Sequence, residues 1–489
     1  LKKELKQLGK ETAIYGISTI IGRFLNFLLV PFFTNVFSQA EYGIITNVYA
    51  YIAFFNIIYL YGMESAYFKF ASTQEFGSEK QTFSTAFNSV FITSFIFSFL
   101  ILLFRNPLAE LFVLSYNQLT IIYFVSGILF FDAISNIVFA RLRFHNQALR
   151  FAIYKLINII SNIILNLVAI FVWKLGPLSV FLAGFGSSLI TFVLLIPDLL
   201  KSYQVKIEIP LLQNLLKFGL PFVPAGLASI VTHVIDRPIL LALTNASMVG
   251  VYQANYKLGI FMMLFVSMFQ YAWQPFYLKQ SLKENAKELF SKVFTYFTLF
   301  ASAIFIVLSL FIEDIVRIKI FGFYLIGKNF WDGLYIVPVV LLAYIFNGFY
   351  INFLAGIQIQ KKTQYMPLVT GLGAIVNVIS NFVLIPIMGI LGAAYATLLA
   401  YLSMAVFQYF LSQRFYRIRY EWKKILLIGA STILSYWLFF IFNDLKILNA
   451  YLSKFLSIIL FVVLLELFAV IEIRWLKEFF RFLIKRMDF

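Results

Sequence analysis

The chain has 489 residues, 62% of them hydrophobic and 12% charged, with no cysteine and a formal charge of +17. So apolar a composition cannot supply the polar surface of a water-soluble protein of this length. The missing thiols exclude disulfides, thiolate zinc sites and cysteine nucleophiles.

Apolar runs of about 20 residues, the length that crosses a hydrocarbon core of about 30 Å as a helix, recur along the whole chain. They predict fourteen spans, near 12–37, 42–66, 83–104, 118–140, 151–172, 177–197, 217–243, 247–276, 290–312, 332–357, 363–388, 389–411, 424–442 and 450–470. The runs are continuous rather than alternating, which excludes a β-barrel. The first is too long for a cleavable signal and lacks a small-residue cleavage site, so it reads as an uncleaved anchor. The expected fold is therefore an all-α integral membrane protein. The longest outer loop, near Glu313 to Trp331, is short, and no extramembrane domain is expected.

Besides those near span ends that count with the loops, four basic residues remain within these spans. The first span carries Arg23 with Asn26 one turn on. The fifth carries Lys155, close enough to its cytoplasmic end to snorkel. The seventh contains "SIVTHVIDRPILL", which places His233, Asp236 and Arg237 just before Pro238, and the eighth contains Lys257. A Lys or Arg at the centre of a span costs about 2.5–3.5 kcal/mol on insertion scales, so Arg23, Arg237 and Lys257 should face a watery cavity or a partner. Adjacent residues on a helix point about 100° apart, so Asp236 and Arg237 do not pair easily. A structural pair with some neighbour and a place in a cavity both remain open for Arg237. His233 can titrate or serve in packing. Pro221, Pro224 and Pro238 weaken the same helix, and broken helices are tolerated beside cavities.

Polar residues also form stripes. Lys155, Asn158, Asn162 and Asn166 share one helix face, and Thr370, Gly373, Asn377 and Asn381 form a similar stripe in the eleventh span. Such residues either line a cavity or hold membrane helices together.

The two stripes belong to a longer echo. "NIISNIILNLVAIFVWKLGPLSVFLAG" and "NVISNFVLIPIMGILGAAYATLL" share a layout of spaced asparagines, a Gly-containing outer turn and a second apolar span. Asn162 and Asn166 fall on Asn377 and Asn381 at an offset of 215. "YGIITNVYAY" likewise echoes "VGVYQANYKL", placing Gly43 on Gly250 and Tyr49 on Tyr256. The expected organisation is two parallel six-helix lobes, 1–216 and 217–422, followed by two further helices and a basic tail in 423–489. Parallel repeats of this kind surround a midplane site in transporters.

About 28 of the 39 lysines and arginines fall in alternate loops on the side of the N-terminus, and about seven fall opposite. The positive-inside rule then places both termini in the cytoplasm. The basic charge is a topology signal and implies no nucleic acid. No phosphate-binding glycine loop, HExxH motif or cluster at metal-ligand spacing is present, so neither a catalytic residue nor a metal site is expected.

Three stretches, "GRFLNFLLVPFFTNVFSQAEYG", "FGLPFVPAGLASIVTHVIDRPIL" and "NVISNFVLIPIMGILGAAYATLL", together resemble the polysaccharide transporters. These are the O-antigen-type flippases of the multidrug/oligosaccharidyl-lipid/polysaccharide exporter superfamily. The resemblance covers the whole chain. It implies two six-helix bundles in a V around a central cavity, with two extra helices. It also implies a substrate, an oligosaccharide repeat unit on undecaprenyl pyrophosphate, moved from the cytoplasmic to the outer leaflet of a bacterial inner (cytoplasmic) membrane for surface polysaccharide synthesis. Under the resemblance Arg23, Arg237 and Lys257 would meet phosphate and sugars, with Asn26, Asn158 and Asn377 as further substrate-binding residues. Asp236 and His233 would be the groups for proton or sodium coupling, and no cofactor is implied. Besides the lipid-linked substrate and membrane lipids, the implied partners are a polysaccharide polymerase and a chain-length regulator. The rival readings are a lipid II flippase, a multidrug antiporter and a membrane glycan polymerase. The antiporter should carry an acid in its first span where Arg23 stands, and the polymerase needs a large outer loop.

Overall fold

The computed structural model describes residues 21–22, 24–444, 449–468 and 470. Arg23 lies outside the described residues. Among those described, thirteen helical segments are long and apolar enough to cross a membrane, and a shorter apolar helix, Phe24–Val36, precedes them. The second to fourteenth expected spans each overlap one of the thirteen; most ends differ by a few residues, but the segment for the seventh, Ile209–Val234, is displaced toward the N-terminus from the expected 217–243. The chain is a multi-pass membrane protein. Exposed side chains agree: Phe95, Phe99 and Leu103 lie 60% or more exposed on one face of a single helix, a stripe suited to lipid and costly in water.

The chain divides into two compact units. The first comprises the residues up to Ile260 with Lys319–Ile336 and Gln364–Met404. It opens with α1 (Leu29–Val36), α2 (Gln39–Leu60), α3 (Met63–Thr73), α4 (Glu79–Leu103) and α5 (Arg105–Phe112). There follow α6 (Thr120–Phe144), α7 (Ala148–Leu167), α8 (Leu178–Leu200), α9 (Ile209–Gly219), α10 (Phe222–Val234), α11 (Asp236–Leu243) and α12 (Ala246–Tyr256).

Local chemistry fixes several of these boundaries. α2 starts on a capping box, in which the Ser38 hydroxyl accepts the Glu41 N–H and the Glu41 carboxylate accepts the Ser38 N–H. A second box, Ser78 with Gln81, starts α4. The seventh expected span is not one helix. The chain bends at Ile235 between α10 and α11, because Pro238 has no N–H to offer the carbonyl of Val234.

Residues 29–43 and 236–250, early in each expected lobe, share a plan. α1 and α11 are both eight residues long with proline third, at Pro31 and Pro238. Each is followed by a capped helix: Ser38 caps α2 and Asn245 caps α12, its side chain accepting the Met248 N–H at 3.0 Å. All these matches fall at the offset of 207 that relates Gly43 to Gly250. The two glycines also meet. A Cβ on Gly43 would stand 1.8 Å from the Ala246 carbonyl oxygen, and one on Gly250 would stand 2.0 Å from that of Gln39. Gln39 and Ala246 are themselves 207 apart, so the contact of α2 with α12 is self-complementary, as a two-fold axis requires.

In the loop before Ile336 the sequence gives no strand signal, yet two short strands form, β1 (Lys319–Ile320) and β2 (Phe323–Tyr324). Phe321 and Gly322 both take positive φ, the geometry of a two-residue hairpin turn of the primed type. The hairpin docks on α1, where Asn35 Nδ2 donates to the Tyr324 carbonyl at 2.7 Å and Gly327 N–H donates to Thr34 Oγ1 at 3.0 Å.

The second unit comprises Phe261–Ile318, Val337–Thr363 and the residues from Ala405 on. It holds most of α13 (Ile260–Gln280), α14 (Ala286–Arg317) and α15 (Val337–Ile359). α16 (Met366–Met388) and the start of α17 (Ile390–Phe415) belong to the first unit; the end of α17, α18 (Trp422–Asp444) and α19 (Ala450–Leu467) complete the second. Its core is aromatic: Phe294 and Phe353 pack with Ile425 against Phe349, Tyr409 and Tyr420. Toward the far end of α14, Asp314 accepts from the buried ammonium of Lys454 and from Tyr451 Oη–H, tying α19 to α14.

Candidate functional site

A cavity of about 410 Å³ lies in the first unit, with walls from α1, α2, α6, α7, α8, α11 and α12. Arg237 reaches it from α11, two residues after the bend at Ile235, and Lys257 from the turn that ends α12. Among the described residues neither cation forms an ion pair, and Arg237 Nε is buried without a hydrogen-bond partner. The neighbouring acid forms no ion pair with the guanidinium. Asp236 is 3% exposed and accepts from Tyr252 Oη–H at 2.5 Å and from the backbone N–H of Arg237 at 3.0 Å. The Asp236–Arg237 sequence therefore turns its two charges to different uses, the acid into the α11–α12 contact and the base into the cavity.

The opposite wall is made of amides and hydroxyls. Asn158 Nδ2 donates to the Ser187 carbonyl at 3.1 Å and to Thr191 Oγ1 at 2.8 Å, and Asn162 Nδ2 donates to Ser187 Oγ at 3.2 Å. These bonds hold α7 to α8 while Asn158, Asn162 and Asn166 line the cavity. The stripe thus serves both roles left open by the sequence. Asn26 also lines the cavity from the segment before α1.

Asn377 does not. It is 1% exposed within α16 and is absent from the cavity wall. Its geometry nevertheless repeats that of Asn162. Asn381 Nδ2 donates to the carbonyl and Oδ1 of Asn377 at 2.9 and 3.0 Å, and Asn166 Nδ2 makes the same two contacts with Asn162 at the same distances. His233 stands away from the cavity wall, its Nδ1 3.0 Å from Tyr401 Oη. Lys155 is exposed, with its ammonium 4.3 Å from the centre of the Phe139 ring.

Several lining residues escaped the sequence reading. Asp132 on α6 accepts from Ser188 Oγ–H at 2.6 Å and gives the cavity its acid. It is the single charged residue in its expected span, and the intramembrane-charge argument applied to Arg237 also finds it. Thr46 and Gln253, equivalent at the 207 offset, both line the cavity. Four buried polar atoms of lining residues have no protein partner among the described residues: Tyr42 Oη, Asn166 Oδ1, Gln253 Oε1 and Arg237 Nε. Buried polar groups are nearly always hydrogen-bonded, so four unpaired atoms on the residues of one cavity set its wall apart from ordinary helix packing. Among the described residues no three acidic or imidazole side chains gather as a metal site.

The fold and the sequence both have relatives. The chain is similar to an uncharacterised membrane protein of Methanocaldococcus jannaschii, 22% identical over 476 residues, which covers 87% of this chain and 89% of the relative. Among solved structures it is similar to the lipid II flippase MurJ in an inward closed conformation, with a TM-score of 0.74 and 16% identity over 93% of this chain and 98% of the other. It is also similar to an inward-facing multidrug resistance MATE family transporter of the MOP superfamily, with a TM-score of 0.61 and 13% identity over 81% and 97%. A MATE transporter of Vibrio cholerae aligns with a TM-score of 0.57 and 14% identity over 84% and 97%. These likenesses establish a fold of the MOP type. The sequence model described as polysaccharide biosynthesis protein matches residues 8–281, more than half of the chain, and the chain belongs to that family.

Proposed function

We propose that the protein is a flippase that carries undecaprenyl-pyrophosphate-linked oligosaccharide repeat units from the cytoplasmic to the outer leaflet. The reading rests on one observation: Arg237 and Lys257 converge on a cavity lined by amides and hydroxyls, and no carboxylate pairs with either among the described residues. Cations of this kind suit a pyrophosphate, whose oxygens form charge-assisted hydrogen bonds. The amides and hydroxyls of α7 and α8 suit sugar hydroxyls. Arg23, outside the described residues, is assigned to the same role, and Asn377 to a supporting one.

Alternating access would move lobe 1–216 against lobe 217–422. The self-complementary Gly43–Gly250 contact and the matching asparagine pairs support that division. The bias of basic residues supports a cytoplasmic membrane with both termini inside. An outward-moving headgroup of two negative charges gains about 4–5 kcal/mol per 100 mV of inside-negative potential. Asp236 and His233 are the candidates for added proton or sodium coupling. A polymerase and a chain-length regulator are the expected protein partners.

Lipid II flipping is the second reading, favoured by the TM-score of 0.74 to MurJ across 93% of the chain. Its substrate presents the same pyrophosphate. The test is a leaflet-accessibility assay in proteoliposomes with each lipid in turn. The first reading expects the lipid-linked oligosaccharide to be moved faster. Movement of lipid II alone would replace it with the second, and movement of neither would reject both.

A further inference from the structure

The second unit contains a separate charged pocket of about 530 Å³. It sits where α14 begins and where the chain turns from α17 into α18. Its two acids are already engaged: Glu288 pairs with Lys292 at 2.6 Å, and Glu421 pairs with Lys424 at 2.7 Å and accepts from Thr295 Oγ1–H at 2.7 Å. Lys287, Arg417 and Arg419 remain, and among the described residues none of them has a carboxylate partner. Behind them Ser291 is 3% exposed, and its Oγ is buried with no hydrogen-bond partner. A buried hydroxyl without a partner, in the wall of a pocket with three cations that lack a carboxylate among the described residues and near the positive end of a 32-residue helix, is an anion site in its chemistry.

The setting decides which anion. Trp422, 38% exposed at the start of α18, packs with Tyr409 and Tyr420 beside the pocket. Exposed tryptophan and tyrosine at the ends of membrane helices sit at headgroup depth. We propose that this pocket binds the phosphate of an anionic phospholipid headgroup, with Arg417, Arg419 and Lys287 as its cations and Ser291 as its neutral donor. The site is independent of the transport reading: it lies in the other unit and needs no substrate. Under the positive-inside topology it faces the cytoplasmic leaflet, where anionic headgroups attract basic residues.

The test uses delipidated full-length protein and native mass spectrometry, with phosphatidylglycerol against phosphatidylcholine. Each cation near such a headgroup contributes about a five-fold gain, so Arg417→Gln with Arg419→Gln should weaken phosphatidylglycerol binding about 25-fold. The matched pair Arg414→Gln with Lys423→Gln removes the same charge outside the pocket and should leave the preference in place. Equal loss in both pairs, or no loss in the first, overturns the proposal. Should the first pair fail to fold, the exposed Lys287→Gln decides, with about a five-fold loss expected and no change overturning. Inorganic phosphate separates the sources. It should compete weakly, and binding as tight as the lipid's would assign the pocket to a soluble phosphate and overturn the headgroup assignment.

Discussion

Arg237 carries a charge into an apolar helix and forms no ion pair among the described residues, whereas Asp236, one residue earlier, accepts from Tyr252 and a backbone N–H. The two should therefore fail differently. Asp236→Ala leaves the Tyr252 hydroxyl buried without its acceptor and should cost about 1–3 kcal/mol of stability, read as a lowered unfolding temperature in detergent. Arg237→Lys keeps the point charge, loses the planar fork and should retain part of the transport. Glu421 gives a pH test outside the spans. Burial alone would raise its carboxyl, but hydrogen bonds from Lys424 and Thr295, with Lys292 nearby, hold it below its ordinary value. Its contribution is therefore present above the unfolded value of about 4.3 and is lost as pH falls through the depressed folded value. Glu421→Gln should lower stability by about 1 kcal/mol near neutral pH, and the difference from the parent should vanish in acid. A difference that persists unchanged in acid would contradict this.

Between helices the decisive contact is Gly43 with Gly250. Alanine at either position would drive a Cβ to within about 2 Å of a carbonyl oxygen on the facing helix, so α2 and α12 would have to separate. Each substitution should destabilise by about 1–3 kcal/mol, and by similar amounts, because the contact is the same one seen from both sides. Thermal unfolding checks this; tolerance of Gly43→Ala alone would show that the symmetry is only apparent. Helix existence was legible from the sequence because a hydrocarbon core imposes length and apolarity on every span. The break at Ile235 was legible only as a weakness, since proline removes one hydrogen bond without fixing where the axis turns. The hairpin at Lys319 to Tyr324 was not legible, because its strands are two residues each and their partner is α1, far away in sequence. Arg237 and Lys257 were found because intramembrane charge is costly wherever it lies. Tyr42 and Ser188 were missed because hydroxyls are cheap in a helix, and only the tertiary fold turns them toward the cavity.

Across the molecule, the echo between 1–216 and 217–422 has counterparts in paired asparagines, paired eight-residue helices and a self-complementary glycine contact. The charges do not follow that echo: Asp236 and Arg237 fall on Leu29 and Val30, and the cavity wall itself comes mostly from residues before 217, with Arg237, Gln253 and Lys257 from the later ones. The absence of cysteine permits a direct topology test. Single cysteines at Lys283 and Arg141 should be shielded from an impermeant maleimide in intact cells, and cysteines at Gly176 and Gly389 should react. The most direct test of the central claim is transport itself, measured for Arg237→Gln with Lys257→Gln in proteoliposomes loaded with lipid-linked oligosaccharide. Losing charged hydrogen bonds worth about 1.5–3 kcal/mol each should slow flipping at least tenfold while the unfolding temperature stays near the parent's. A correctly folded double variant that flips at the parental rate would contradict the account.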